Sequence, residues 1–158
     1  SIPEDRTAIV LPEQDIRVSY GSLRRQIASM AGALAAAGIG RGDRVGMAFP
    51  NGLPAIVSFI AASIAGTAAP LNPAYREEEF AFYLEDTNAR LLLLPPTGAE
   101  AARQAAASRG VRVIAVDTDP SGVVTMAGTP AGGSAPVPSV DDIALLLHTS
   151  GSTGRPKR

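Results

Sequence analysis

Short apolar runs alternate along the chain with longer segments in which apolar residues recur every three or four positions. The first pattern predicts strands and the second predicts helices. Strands are predicted at 8–11, 16–18, 44–49, 67–71, 90–94 and 111–116, and helices at 20–37, between Asn51 and Gly66, at 77–86 and at 98–108. Helices and strands in alternation are typical of parallel β-α-β units, so we expect an α/β fold with a mostly parallel sheet.

Local signals define the expected helix boundaries. Ser19 occupies the position of an N-cap before the first helix, and Gly38 ends that helix as a C′ residue. Asn51 is the predicted N-cap of the second helix. The apolar stripe of the first helix leaves Gln26 on another face. Apolar residues go nearly all the way round the second helix, which predicts its burial between the sheet and neighbouring helices: Ile56, Val57, Phe59, Ile60 and Ile64.

Two motifs suggest ligand sites but have simpler explanations. The glycines of 38–43 are spaced like a dinucleotide fingerprint, yet that motif must follow a strand and open a helix, whereas this one closes a helix and opens a strand. We expect a turn there. Glu77, Glu78 and Glu79 could suggest a metal site, but consecutive residues fan out around a helix, so solvated acids that stabilise the helix dipole are favoured. We therefore predict no metal-binding set of side chains.

The last third of the chain contains the leading candidate site. Residues 118–140 are rich in Gly, Pro, Ser, Ala and Thr and predict a surface excursion in which only 123–126 could form a strand. Residues 143–147 are a continuous apolar run that predicts a fully buried strand. A nine-residue loop follows, from Thr149 to Lys157. Ligands of open α/β sheets bind beyond the carboxyl ends of the strands, where we expect this loop to lie.

The composition of this loop suits a bound oxyanion. Backbone N–H groups of small residues can curve toward one point, hydroxyls add donors, and a lysine supplies positive charge. The predicted phosphate-binding residues are Thr149, Ser150, Gly151, Ser152, Thr153, Gly154 and Lys157. The loop is not of the Walker type, because Pro156 separates Lys157 from Gly154. A flexible Gly/Ser linker is the alternative, which the preceding strand and the Pro-Lys pair disfavour.

His148 is the only histidine and invites a role as a base or a ligand. No Ser-His-Asp or metal-ligand spacing surrounds it, so packing or hydrogen bonding is the favoured role. Ser150 is disfavoured as a nucleophile, because residue 148 is His where the Gly-x-Ser-x-Gly elbow requires Gly. We predict no catalytic residue in this chain.

Charge and composition narrow the possible partners. The 158 residues carry 14 basic and 15 acidic side chains without a basic run, so neither nucleic acid nor an anionic membrane surface is an expected partner. The chain has no cysteine, which excludes disulfides and thiolate metal sites within it and permits a reducing cytoplasm, our predicted location. The longest apolar segment, 53–69, contains Pro54 and Gly66 and predicts a buried helix and not a membrane span.

The loop from Thr149 to Lys157 resembles the signature loop of the adenylate-forming, or acyl-activating, enzymes, which include acyl-CoA synthetases, luciferases and peptide-synthetase adenylation domains. The family pattern is Thr/Ser-Ser-Gly-Thr/Ser-Thr-Gly-x-Pro-Lys, and the sequence fits it at every position. Residues 18–23 and 65–73 resemble two upstream boxes of the same family. Residues 69–84, 90–94 and 147–151 are similar to oxalate–CoA ligases and their relatives.

This resemblance implies a fold and a reaction. Residues 1–158 would be the amino-terminal portion of the large adenylate-forming domain of an acyl-CoA synthetase, without the adenine site, the acyl pocket or the carboxyl-terminal domain. The enzyme would use ATP, Mg²⁺ and coenzyme A to activate a small carboxylic acid, namely oxalate or else a fatty or aryl acid. Its catalytic lysine would lie downstream, so the 158 residues alone are expected to be inactive. A non-catalytic relative that keeps the fold as a binding module is the alternative.

Overall fold

The computed structural model describes residues 2–129 and 134–148. Strands and helices alternate through most of this part of the chain, as the hydrophobic pattern predicts. The elements are β1 (Thr7–Leu11), β2 (Ile16–Ser19), α1 (Tyr20–Ala36), β3 (Arg44–Met47), α2 (Leu53–Ala65), β4 (Thr67–Pro70), α3 (Glu77–Thr87), β5 (Ala89–Leu94), α4 (Glu100–Arg109), β6 (Arg112–Thr118) and β7 (Val124–Met126).

The principal sheet has five strands in the order β4-β3-β5-β6-β7. Its first four strands are parallel and β7 is antiparallel to β6, which confirms the predicted α/β fold with a mostly parallel sheet. β1 and β2 form a separate antiparallel pair, joined by the short turn at 12–15. The strand that the sequence allowed at 123–126 is confirmed as β7, whose buried Val124 and Met126 extend the sheet edge.

Helices cover both faces of this sheet. On one face, residues of α1 and α2 such as Leu34 and Val57 share a core cluster with Leu93. On the other face, Phe80 of α3 and Ala105 of α4 share a cluster with Leu92. Successive side chains of a strand point to opposite faces, so the run of leucines in β5 serves both clusters.

Helix α1 begins as predicted but buries a polar residue that the pattern placed on another face. The backbone N–H of Ser22 donates to Ser19 Oγ at 3.2 Å, so Ser19 is the N-cap. Gln26 is only 6% exposed. Its amide donates to the Gly122 carbonyl at 3.0 Å and accepts from the Val124 N–H at 2.9 Å. Burial is possible because this one side chain satisfies a donor and an acceptor of the turn before β7.

Helix α2 differs from the prediction in its cap and in its burial. Gly52 is the N-cap and contributes no side-chain hydrogen bond, so the prediction of Asn51 as the cap is wrong. Asn51 lies one residue too early, outside the position from which a side chain reaches the first turn. The helix is also covered less completely than predicted, because Val57 is fully buried whereas Ile56 is 39% exposed.

Helix α3 is held at its start by one of the three consecutive glutamates. The backbone N–H of Arg76, the N-cap residue, donates to Glu79 Oε2 at 2.9 Å. This acceptor satisfies a donor at the helix start and places negative charge at the positive end of the dipole, as the sequence indicated.

Across residues 2–129 and 134–148, no helix combines the length and the apolar character that crossing a membrane requires.

Candidate functional site

The segment that leads into the predicted phosphate loop lies beside β4. The Ala68 N–H donates to the Ala144 carbonyl, and the Leu146 N–H donates to the Ala68 carbonyl, both at 2.9 Å. Leu145 forms a parallel bridge with Ala68. The segment therefore runs in the same direction as the strands of the sheet, at the edge beyond β4.

The prediction that residues 143–147 are a fully buried strand is wrong. Ile143 is 66% exposed and Leu147 is 57% exposed. The segment pairs with β4 on one side, and no strand of the described chain lies on its other side. An apolar run indicates that a segment can be buried, but a neighbouring element must be present to cover it.

Thr67 ties the start of this segment to the sheet. Its hydroxyl donates to the Ile143 carbonyl at 2.6 Å, and its side chain lies in the buried first position of β4. Its backbone N–H donates to the Asp43 carbonyl at 2.9 Å. One residue thus links the turn before β3 to the chain that precedes the loop.

His148, the residue immediately before the loop, contacts α3. Its Nε2 lies 2.9 Å from Asp86 Oδ2, and the two side chains are 5% and 17% exposed. Its ring centroid lies 4.7 Å from that of Tyr83. Tyr83 and Asp86 are three residues apart and so share a helix face. The predicted hydrogen-bonding role of His148 is confirmed, and the sequence missed its partner because no local spacing marks a carboxylate 62 residues away.

Tyr83 is part of an aromatic stack. Its ring lies parallel to that of Tyr75, with a centroid separation of 4.9 Å. Burial raises the pKa of the Tyr83 hydroxyl to about 12, and the neighbouring Tyr75 hydroxyl and the charge of Glu79 add to the effect. The Tyr83 hydroxyl therefore stays uncharged to a higher pH than an exposed tyrosine does.

A cavity of about 450 Å³ lies between α3 and residues 141–148, and it includes Arg44, Thr67, Asp86 and His148 in its lining. The Arg44 guanidinium donates to the Thr87 carbonyl at 2.6 Å, at the end of α3. Since α3 leads directly into β5, this cavity lies toward the amino ends of the strands. The expected position of the loop beyond the carboxyl ends stays a prediction, because residues 149–157 lie outside the described part of the chain.

The predicted binding residues themselves lie outside the described part of the chain: Thr149, Ser150, Gly151, Ser152, Thr153, Gly154 and Lys157. Their phosphate-binding role stays a prediction. Within residues 2–129 and 134–148, no group of three or more His, Asp or Glu side chains is placed to hold a metal ion.

Comparisons with known proteins extend over nearly the whole chain. The sequence matches the family described as AMP-binding enzyme over residues 2–158. "Probable CoA ligase CCL9" of Humulus lupulus is 38% identical over 165 residues, which cover 97% of this chain and 30% of that protein. The oxalate–CoA ligase of Arabidopsis thaliana is 40% identical over 128 residues, covering 77% of this chain and 25% of the ligase.

A solved structure has the same fold. ATP-bound MatB from Rhodopseudomonas palustris superposes with a TM-score of 0.78 and 26% identity, over 99% of this chain and 32% of that chain. The chain thus spans less than a third of the length of each of these proteins. Because the family match includes every described element, the chain belongs to the AMP-binding enzyme family.

Proposed function

We propose that residues 1–158 are the amino-terminal portion of the adenylate-forming domain of an ATP-dependent acyl-CoA ligase. The observation that carries the proposal is the family match over residues 2–158. The two relatives described above support it, because both are named as CoA ligases. The remaining parts of the active site would come from chain outside these residues. A cytoplasmic location stays a prediction.

The reaction has two steps. A carboxylate oxygen of the acid attacks the α-phosphorus of ATP, the bond from that phosphorus to the oxygen bridging to the β-phosphate breaks, and pyrophosphate leaves. The sulfur of coenzyme A then attacks the acyl carbon, loses its proton and displaces AMP. The first step needs groups that hold the β- and γ-phosphates and stabilise the charge that develops on the leaving pyrophosphate.

The residues of the loop have the chemistry for this task. Backbone N–H groups and hydroxyls from Thr149 to Gly154 are hydrogen-bond donors, and Lys157 is a full positive charge for the terminal phosphates. Hydroxyls alone are weak ligands for Mg²⁺, which prefers carboxylates, waters and phosphates. Bound Mg²⁺ would neutralise phosphate charge, held mainly by the nucleotide and water with at most a threonine hydroxyl from this loop.

Oxalate is the first acid to test, because the oxalate–CoA ligase relative is 40% identical. Ferulate is a suitable aryl acid, since feruloyl-CoA synthase of Amycolatopsis sp. is 37% identical over 141 residues. A fatty acid completes the set. Residues that select the acid would lie downstream of this chain.

The test is pyrophosphate release by the full-length protein with each acid, ATP and coenzyme A. We expect release that requires both the acid and ATP. The Lys157→Ala variant should raise the KM for ATP by about tenfold or more, the usual size of a lost charge-assisted hydrogen bond. Arg158→Ala is the matched control, since it removes a positive charge one residue beyond the loop. Absence of both pyrophosphate release and ATP binding would indicate a non-catalytic relative.

A further inference from the structure

We propose that Asp86 is a positioning residue for the phosphate-binding loop and that it acts through His148. This inference rests on the proposed ligase function. Its basis is the 2.9 Å hydrogen bond from His148 Nε2 to Asp86 Oδ2 and the peptide bond that joins His148 to Thr149. An interaction that fixes the position of His148 also constrains the peptide bond from which the loop starts.

The contact is built to hold the imidazole in one orientation. Both side chains are largely buried, so the hydrogen bond has little competition from water. Asp86 accepts from Nε2, which determines the nitrogen that carries the proton. The Tyr83 ring, 4.7 Å away and tilted by 60°, limits rotation of the imidazole.

Helix α3 is a firm support for this contact. Phe80 and Leu84 are almost completely buried, and Tyr83 is stacked against Tyr75. In the last turn, the Thr87 hydroxyl donates to the Tyr83 carbonyl at 2.7 Å. A side chain carried by this turn has a position set by the core of the domain.

The placement of Asp86 is unfavourable for the helix itself. A carboxylate in the last turn faces the negative end of the helix dipole, and this last turn has no basic residue to offset it. The neighbouring carboxylate, Glu85, forms an ion pair with Arg109 at 2.8 Å, at the surface. The Asp86 carboxylate accepts a hydrogen bond from His148, the residue before the loop.

A double-mutant cycle in the full-length enzyme tests this coupling. We expect Asp86→Ala and His148→Ala each to raise the KM for ATP in pyrophosphate release by about tenfold, with kcat changed much less. Because the inference places the effect of both residues on their shared hydrogen bond, the effects of the single variants should not multiply in the double variant. Asp86→Asn keeps an acceptor and should recover part of the loss. Glu85→Gln removes the adjacent carboxylate and is the control expected to match the wild type.

Effects that multiply to about a hundredfold in the double variant would overturn the inference, because the residues would then act independently. An unchanged KM in Asp86→Ala, in an enzyme that otherwise turns over, would overturn it while leaving the ligase function in place. A wild-type enzyme inactive with every acid would instead defeat the proposed function, and this inference with it.

A spectroscopic measurement probes the contact without any activity. The chain has one histidine, so nitrogen-15 labelling of histidine in the 158-residue protein yields one pair of imidazole signals. We expect neutral His148 to carry its proton on Nε2 in the wild type and to become a mixture of tautomers in Asp86→Ala. The same mixture in both proteins would refute the positioning contact.

Discussion

Gly66 lies between α2 and β4, at a point where the backbone leaves no room for a methyl group. A Cβ on this residue would be 2.5 Å from the Asp43 carbonyl oxygen and 3.0 Å from the Gly40 carbonyl oxygen. Unbonded heavy atoms are most stable at about 3.5 Å or more. Both oxygens belong to the backbone of the turn before β3, so neither can rotate away like the end of a side chain.

The cost of Gly66→Ala follows from these contacts. The Asp43 carbonyl that must retreat also accepts the Thr67 N–H at 2.9 Å, so its movement weakens that bond. Overpacking costs about 1–3 kcal/mol, and a weakened hydrogen bond adds about 1 kcal/mol. We expect the free energy of unfolding to fall by about 3 kcal/mol, which in a chain of this size lowers Tm by about 6–12 °C.

Thermal and urea unfolding of the 158-residue chain measure this loss. Gly40→Ala is the matched control from the same turn, since its Cβ would meet only the Asp43 carboxylate at an ordinary 3.8 Å. That control should stay within about 0.5 kcal/mol of the wild type. If Gly66→Ala were as stable as Gly40→Ala, the turn would be able to yield, and the steric reasoning would be refuted.

Three further predictions concern stability and activity. The pKa of Tyr83 is raised from an ordinary 10.0 to about 12, so the stability contributed by its neutral hydroxyl is complete below pH 10 and is lost as the pH rises through 12. In Tyr83→Phe the urea midpoint should therefore fall less than in the wild type over this pH range. An equal fall in the two proteins would contradict the raised pKa. Ser58 is completely buried, and its hydroxyl has no hydrogen-bond partner among the described residues. Ser58→Ala should therefore raise the free energy of unfolding, measured in urea, by up to about 1 kcal/mol. A clear loss of stability would show that the hydroxyl has a partner. The 158-residue chain alone should release no pyrophosphate from ATP with any acid, and turnover would show that the missing parts are dispensable.

Much of the fold was predictable because its signals are local. The cap at Ser19 and the glycine after α1 depend on residues within one or two turns of the helix. The leucines of β5 indicate a strand covered on both faces, and helices do cover both faces. The errors have the opposite origin. Gln26 looked solvent-facing because its partner, Val124, is 98 residues away.

The candidate site likewise has a part that was predictable from the sequence and a part that was not. The residue types and their order from Thr149 to Lys157 identified the family, because the motif consists of consecutive residues and needs no tertiary contact to be recognised. The partner of His148 did not follow from any spacing, because Asp86 approaches it only after α3 packs on the sheet.

The sequence by itself determined the alternation of strands and helices, most of their boundaries and the family loop, because each depends on neighbours along the chain. Only the tertiary structure decided the strand order β4-β3-β5-β6-β7, the exposure of residues 143–147 and the contact between Asp86 and His148. These features depend on which segments, distant along the chain, come into contact. Those contacts are decided by how the helices pack against the two faces of the sheet.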